Sequence, residues 1–221
     1  MLVLPSMGGR FFDFENFGMV EACRPFLDSG RLSIFAVDGR DSESWLNAAV
    51  PLAERGRRHE AWEACLLREV LPLTRSLCPR AEPRDLIVTG CSGGAFHAAN
   101  FFFRHPDACG TVIALSGVYS LKNFLPLEGA WDDRVYFNDP LMYLPGLEDE
   151  WFLDLYRQSR IIICVGQGAW EHVCLPETRA LSEVLTAKAV PHWLDLWGLD
   201  VNHDWPWWRK QLPYFLGHVL P

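Results

Sequence analysis

Ser92 stands at the centre of Gly90-Cys-Ser-Gly-Gly94. A serine hydroxyl becomes a useful nucleophile when it is held where an acyl carbon can reach it and when a neighbouring base takes its proton. The surrounding residues suit the first requirement. The apolar run Leu86-Ile-Val-Thr89 precedes the motif. A helix-forming stretch follows it from Gly93 to about Arg104, stopped by His105-Pro106. A sharp strand-to-helix turn strains its central residue, so the positions around it must be nearly free of side chains, as Gly90 and Gly94 are. Ala95, Ala98 and Ala99 then allow the helix to lie close on a sheet. Such a turn aims its central residue outward and the preceding one back into the fold. Cys91 is therefore expected to face the sheet rather than to act as a thiol nucleophile.

Strand, Gly-x-Ser-x-Gly turn and helix together make the nucleophile elbow of α/β-hydrolases, in which the acid and then the histidine follow the serine in chain order. Of the seven histidines, His203 is placed to be the base: it follows the candidate strand His192–Trp197 and precedes the last helix. Glu171 is the expected acid. It comes 79 residues after Ser92 and 32 before His203, in the loop Gly166-Gln-Gly-Ala-Trp-Glu171 that leaves the strand Ile161–Val165. Its carboxylate would fix the imidazole tautomer and stabilise the imidazolium. Asp200 and Asp204 are rivals by proximity to His203, although Asp204 also suits the cap of a helix beginning near Pro206. An oxyanion needs two backbone donors. The Gly93 amide is one. The other is expected from the loop Ser6-Met-Gly-Gly-Arg-Phe-Phe12, with Arg10 first and Gly9 next.

The elements that position these residues alternate. Candidate strands are Leu2–Pro5, Leu32–Val37, Leu86–Thr89, Thr111–Leu115, Ile161–Val165 and His192–Trp197. Several are apolar at successive positions, which suits a parallel sheet covered on both faces. Between them, Trp62, Leu66, Val70, Leu73 and Leu77 form one stripe of a helix over His59–Leu77, which Pro72 should kink. A weaker pattern predicts a helix over Glu177–Ala189. The fold class is thus α/β, a doubly wound, mostly parallel sheet with right-handed crossovers. The chain reads as one domain over residues 1–221, with 116–159 as an excursion too long for a plain connection. That excursion can also wall a substrate pocket, and Phe11, Trp131, Trp170 and Trp205 are the aromatic candidates to line it.

Composition excludes several function classes. The chain has 221 residues, 49% of them hydrophobic and 22% charged, which is ample for a packed core. The net charge of −8 and the absence of a basic run argue against nucleic acid and mildly against polyanionic substrates. No stretch approaches the length of a membrane span, and the first residues do not resemble a signal peptide. Seven irregularly spaced cysteines without a Cys-x-x-Cys pair read as reduced thiols in a cytoplasmic protein and give no metal site.

The motifs as a set resemble the putative-esterase, esterase-D-like branch of the α/β-hydrolase superfamily, which includes S-formylglutathione hydrolases, feruloyl esterases and mycolyltransferases. The resemblance rests on Gly8-Gly9 followed by Phe11, Glu15 and Asn16, and on Gly90–Gly94. It rests also on Ser116-Gly-Val-Tyr119, on Gly166-Gln-Gly168 with Glu171, and on His203-Asp-Trp-Pro-Trp207 before Gln211-Leu-Pro213. It implies a Ser–acid–His serine esterase acting on small acyl esters or thioesters, with no metal and no cofactor. An acyltransferase with the same triad and a non-catalytic binding module on this fold are the alternatives. Members of the branch carry two antiparallel strands ahead of the strand that starts here at Leu2. A sheet lacking those first two N-terminal strands has an exposed edge, which makes a homo-oligomer an expectation as well.

Overall fold

The computed structural model describes residues 1–125 and 132–220. Six strands form one sheet: β1 (Leu2–Val3), β2 (Phe35–Ala36), β3 (Ile87–Cys91), β4 (Thr111–Leu115), β5 (Arg160–Val165) and β6 (Trp193–Leu196). Their spatial order is β2-β1-β3-β4-β5-β6, and every pairing is parallel. Each predicted strand is present. The first two are shorter than expected, because the β1–β2 ladder is only two residues long.

The continuous apolar runs have a simple cause. Successive side chains of a strand point to opposite faces, and here both faces are covered. Val88, Val112, Ala114, Ile161 and Ile163 join Ala95, Ala98 and Phe102 of the helix Gly93–Arg104 and Leu181 and Leu185 of the helix Cys174–Ala187. Their neighbours Ile87, Cys91, Ile113, Leu115, Ile162 and Cys164 face the other way. There they meet Phe14, Met19 and Phe26 of three short N-terminal helices and Trp208, Leu212 and Phe215 of the last helix, Trp205–Val219. This is a doubly wound α/β sheet.

Helix limits differ from expectation in two places. The predicted His59–Leu77 helix begins at Leu52, after Pro51, because its first turns carry charged residues rather than the apolar stripe. Pro72 cannot donate to the carbonyl four residues back. The helix widens into a π turn at Leu66–Val70 just before it and resumes as Leu71–Leu77. The second helix runs Cys174–Ala187 rather than Glu177–Ala189. The excursion contains short helices at Asp133–Tyr136 and Pro140–Tyr143 and a longer one at Glu150–Arg157. It contributes Tyr143, Leu144, Leu153 and Tyr156 to the core. Among the described residues, no helix is long and apolar enough to cross a membrane, and all seven cysteines are free.

Candidate active site

Parallel strands deliver the loops at their C-terminal ends to one edge of the sheet, and the candidate residues gather there. Ser92 follows β3 directly, with φ 58° and ψ −124°, a left-handed conformation that a side chain rarely adopts. Its amide donates to the Leu115 carbonyl at 2.9 Å, and its own carbonyl accepts from Ala95 at 2.9 Å, so the turn is pinned from both sides. His203 Nε2 lies 2.9 Å from Ser92 Oγ. His203 Nδ1 lies 3.1 Å from Glu171 Oε2. Glu171 is 1% exposed and its other oxygen is also occupied: Oε1 accepts from Ser116 Oγ at 2.6 Å and from the Gly166 amide at 3.3 Å. A buried carboxylate with every oxygen hydrogen-bonded is held in one rotamer, and it holds the imidazole with it.

Glu171 reaches His203 because their loops are joined through the backbone. Gly168 donates to the Val201 carbonyl at 2.8 Å, and the His203 amide donates to the Ala169 carbonyl at 2.9 Å. The Ala169 amide donates to Asn202 Oδ1 at 2.8 Å. A Cβ on Gly168 would fall 2.3 Å from that same oxygen, so no larger residue fits without displacing the loop that carries His203. Trp170 has φ 69°, which turns the chain so that Glu171 points inward while Trp170 is 75% exposed. Asp200 is exposed. Asp204 caps the last helix, accepting from the Trp205 amide at 2.7 Å.

The second oxyanion donor requires a correction. The Arg10 amide, expected in that role, donates to Asp13 Oδ2 at 2.7 Å, and its guanidinium pairs with Asp38 at 2.9 Å. The Gly9 amide closes a turn onto the Ser6 carbonyl at 2.7 Å. Met7 is the residue that meets the elbow. A Cβ placed on Gly93 would lie 2.7 Å from the Met7 nitrogen and 2.6 Å from its Cβ, so the two backbones touch only because Gly93 has no side chain. Among the described residues, neither the Gly93 nor the Met7 amide has a hydrogen-bond partner.

Two partners of the site, Ser116 beside Glu171 and Trp208 beside His203, carry no motif that would single out these contacts. Ser116 has φ 51° and is buried; besides donating to Glu171 it accepts from Trp208 Nε1 at 3.1 Å. Trp208 in turn stands edge-on to the His203 ring at 5.0 Å. The stretch Ser116–Tyr119 belongs to the family resemblance, but spacing does not reveal a bond between residues 55 apart.

Of the aromatic candidates, Phe11 is 48% exposed, Trp170 is 75% exposed, and Trp205 stacks on Phe17 at 4.5 Å and 8°. Trp131 lies outside the described residues. Cys91 is buried on the far face of the sheet and its thiol is pushed well up by burial, so it is neither exposed nor ionised. Cys174 Sγ is 3.6 Å from His203 Nδ1, and burial, with Glu171 and Glu177, pushes that thiol up as well. Glu171, Cys174 and His203 offer ligand atoms within 4.8 Å of one another. A cation there would take the same His203 nitrogen that Glu171 already engages.

The family model described as Putative esterase matches residues 34–219. No curated protein matches the sequence. Solved structures share the fold across 99% of this chain. A ferulic acid esterase is 18% identical at a TM-score of 0.71, with 83% of that chain covered. The fluorophosphonate-binding serine hydrolase F of Staphylococcus aureus is 16% identical at 0.67, with 82% covered. An S-formylglutathione hydrolase of Staphylococcus aureus is 16% identical at 0.69, with 79% covered. The sheet and its helices are thus those of α/β-hydrolase esterases.

Proposed function

The chain belongs to the Putative esterase family, and from that premise we propose that it cleaves carboxylic esters or thioesters through a Ser92–His203–Glu171 triad and an acyl-enzyme. The observation that carries the reading is the unbroken chain of contacts from Ser92 Oγ through both nitrogens of His203 to a buried carboxylate, at 2.9 and 3.1 Å. Ser92 Oγ attacks the acyl carbon while His203 Nε2 takes its proton. Glu171 fixes the proton on Nδ1 and stabilises the imidazolium. The amides of Gly93 and Met7 receive the negative charge of the tetrahedral intermediate. His203 then protonates the departing alcohol or thiol, and water, deprotonated by the same nitrogen, releases the acid.

The substrate is a small acyl compound. Exposed aromatic side chains stand within a few residues of the reacting groups: Phe11 just after the Met7 loop, Trp170 beside Glu171, and Phe17 stacked on Trp205 beyond His203. These surfaces suit an apolar or aromatic acyl group. The described parts of the excursion, 116–125 and 132–159, supply the remaining wall in this reading. The test is a panel of p-nitrophenyl esters and acyl thioesters of increasing acyl length, offered to the wild type and to Ser92→Ala. Turnover of at least one member that depends on Ser92 supports the reading. A folded wild type that turns over none of them contradicts it.

A further inference from the structure

The two oxyanion donors come from separate pieces of chain. Gly93 opens the helix that follows the elbow. Met7 sits in the loop after β1, and its placement has to be imposed from outside, because a turn rich in glycine does not fix itself. A buried contact reaches across. Asp41 Oδ2 accepts from the Gly8 amide, next to Met7, at 3.1 Å. Its other oxygen, Oδ1, lies 2.9 Å from His97 Nε2. His97 belongs to the elbow helix, five residues after Ser92. Both residues are 2% exposed. His97 is itself wedged between rings, stacked on His59 at 5.5 Å and edge-on to Trp62 at 5.2 Å.

We propose that Asp41 and His97 are positioning residues for the oxyanion site: His97 ties the Asp41 carboxylate to the helix carrying the Gly93 amide, and the carboxylate holds the Gly8 amide so that Met7 N–H stays beside Gly93. The proposal rests on the triad reading above and adds a second, wholly buried pair to it. The hydrogen-bond pattern fixes the roles. His97 Nδ1 is buried without a partner. The ring therefore carries its proton on Nε2 and donates it to an ionised Asp41, which leaves the second carboxylate oxygen free to accept from Gly8. Burial works against that charge. Even so, the imidazoles of His97 and His59 and the Gly8 amide hold the Asp41 carboxyl below its ordinary range. A buried carboxylate hydrogen-bonded to an imidazole is seldom the most stable filling for a core, and two apolar side chains of similar size would pack the same space. What an apolar pair could not do is grip a backbone amide on one side and the elbow helix on the other. Because a shift of about 1 Å in a donor costs on the order of 10²-fold in rate, this grip bears directly on turnover.

The experiment compares Asp41→Ala, Asp41→Asn and His97→Gln with the wild type. It reads kcat and KM for a p-nitrophenyl ester, the affinity of an alkyl boronic acid, and the melting temperature. The boronic acid forms a tetrahedral adduct on the nucleophile and presents an oxygen to the same donors, so it reports oxyanion geometry separately from substrate binding. For Asp41→Ala, kcat and boronate affinity are expected to fall together by about 10²-fold with KM unchanged, as for loss of one oxyanion donor. Asp41→Asn, which can still accept from Gly8, is expected to recover most of both. If Asp41→Ala does not fold, the parallel fall is read in His97→Gln. A folded Asp41→Ala or His97→Gln protein that keeps wild-type kcat and boronate affinity, or that loses activity only in step with melting temperature, overturns the proposal. A wild type that neither hydrolyses esters nor binds the boronate overturns the triad reading instead.

Discussion

The amide of His203 donates to the carbonyl of Ala169 at 2.9 Å, two residues before Glu171. This bond makes one unit of the loops after β5 and β6, so Glu171 and His203 are placed relative to each other by backbone rather than by side-chain reach. Gly168 is where that unit is tightest. Gly168→Ala puts a methyl group against Asn202 and the Val201 carbonyl. It is expected to lower stability by about 1–3 kcal/mol, as overpacking does, and to reduce kcat more than KM. Urea unfolding beside ester kinetics checks this; unchanged stability and kcat would show that the two loops can separate without consequence.

Glu171→Gln preserves shape and removes the charge facing His203. By the precedent of serine-hydrolase triads it is expected to lower kcat by up to ~10⁴-fold with little change in KM. Steady-state kinetics decides the assignment, and Asp200→Asn is the control. If Asp200→Asn carries the loss and Glu171→Gln does not, the acid lies elsewhere.

Ser116→Ala removes the 2.6 Å hydrogen bond to Glu171 Oε1 and leaves Gly166 as the remaining donor to that oxygen. A hydrogen bond to a charged group contributes about 1.5–3 kcal/mol, so kcat should fall roughly 10- to 100-fold. The fall should vanish in the Glu171→Gln background, since the two act on the same carboxylate. Independent, multiplicative losses in a double-mutant cycle would contradict the coupling.

Much of this site was legible in the sequence because its signals are local. Strands buried on both faces must be apolar at successive positions, so Ile161–Val165 and Thr111–Leu115 were visible without a partner. The elbow was visible because a close backbone approach demands glycine. Availability of a backbone amide is different. Arg10 was the expected donor, yet Asp13, three residues on, reaches back and occupies its N–H. That reach is a common start to a helix, and the Asp at that spacing was the signal that could have excluded Arg10. Met7 is singled out only by its contact with Gly93, between residues 86 apart in sequence. The Asp41–His97 pair, 56 residues apart, has no local pattern at all.

Glu63 predicts an acid-dependent loss of stability. Burial raises its pKa, but the His105 imidazole, with Nε2 3.0 Å from Oε1, and the charge of Arg104, paired at 2.9 Å, outweigh that and hold the value at about 2 against an ordinary 4.5. A folded-state value below the unfolded one stabilises the protein above pH 4.5, and the contribution disappears as pH falls from there towards 2. Glu63→Gln is expected to cost about 3 kcal/mol at neutral pH, as when one partner of a buried pair is removed. The gap to wild type should close through that window. Urea midpoints measured as pH falls provide the check; a gap that stays constant would mean that Glu63 does not titrate with folding.

The central claim is that Ser92 forms the covalent intermediate. The direct measurement is peptide mapping by mass spectrometry after treatment with a fluorophosphonate, run on wild type, Ser92→Ala and Cys91→Ala. The account predicts one adduct, on Ser92, in the wild type and in Cys91→Ala, and none in Ser92→Ala. It also predicts that ester turnover in Ser92→Ala falls by ~10⁶-fold, as in serine hydrolases lacking their nucleophile. An adduct on another residue, or a folded Ser92→Ala protein that still labels and still hydrolyses esters, would contradict it.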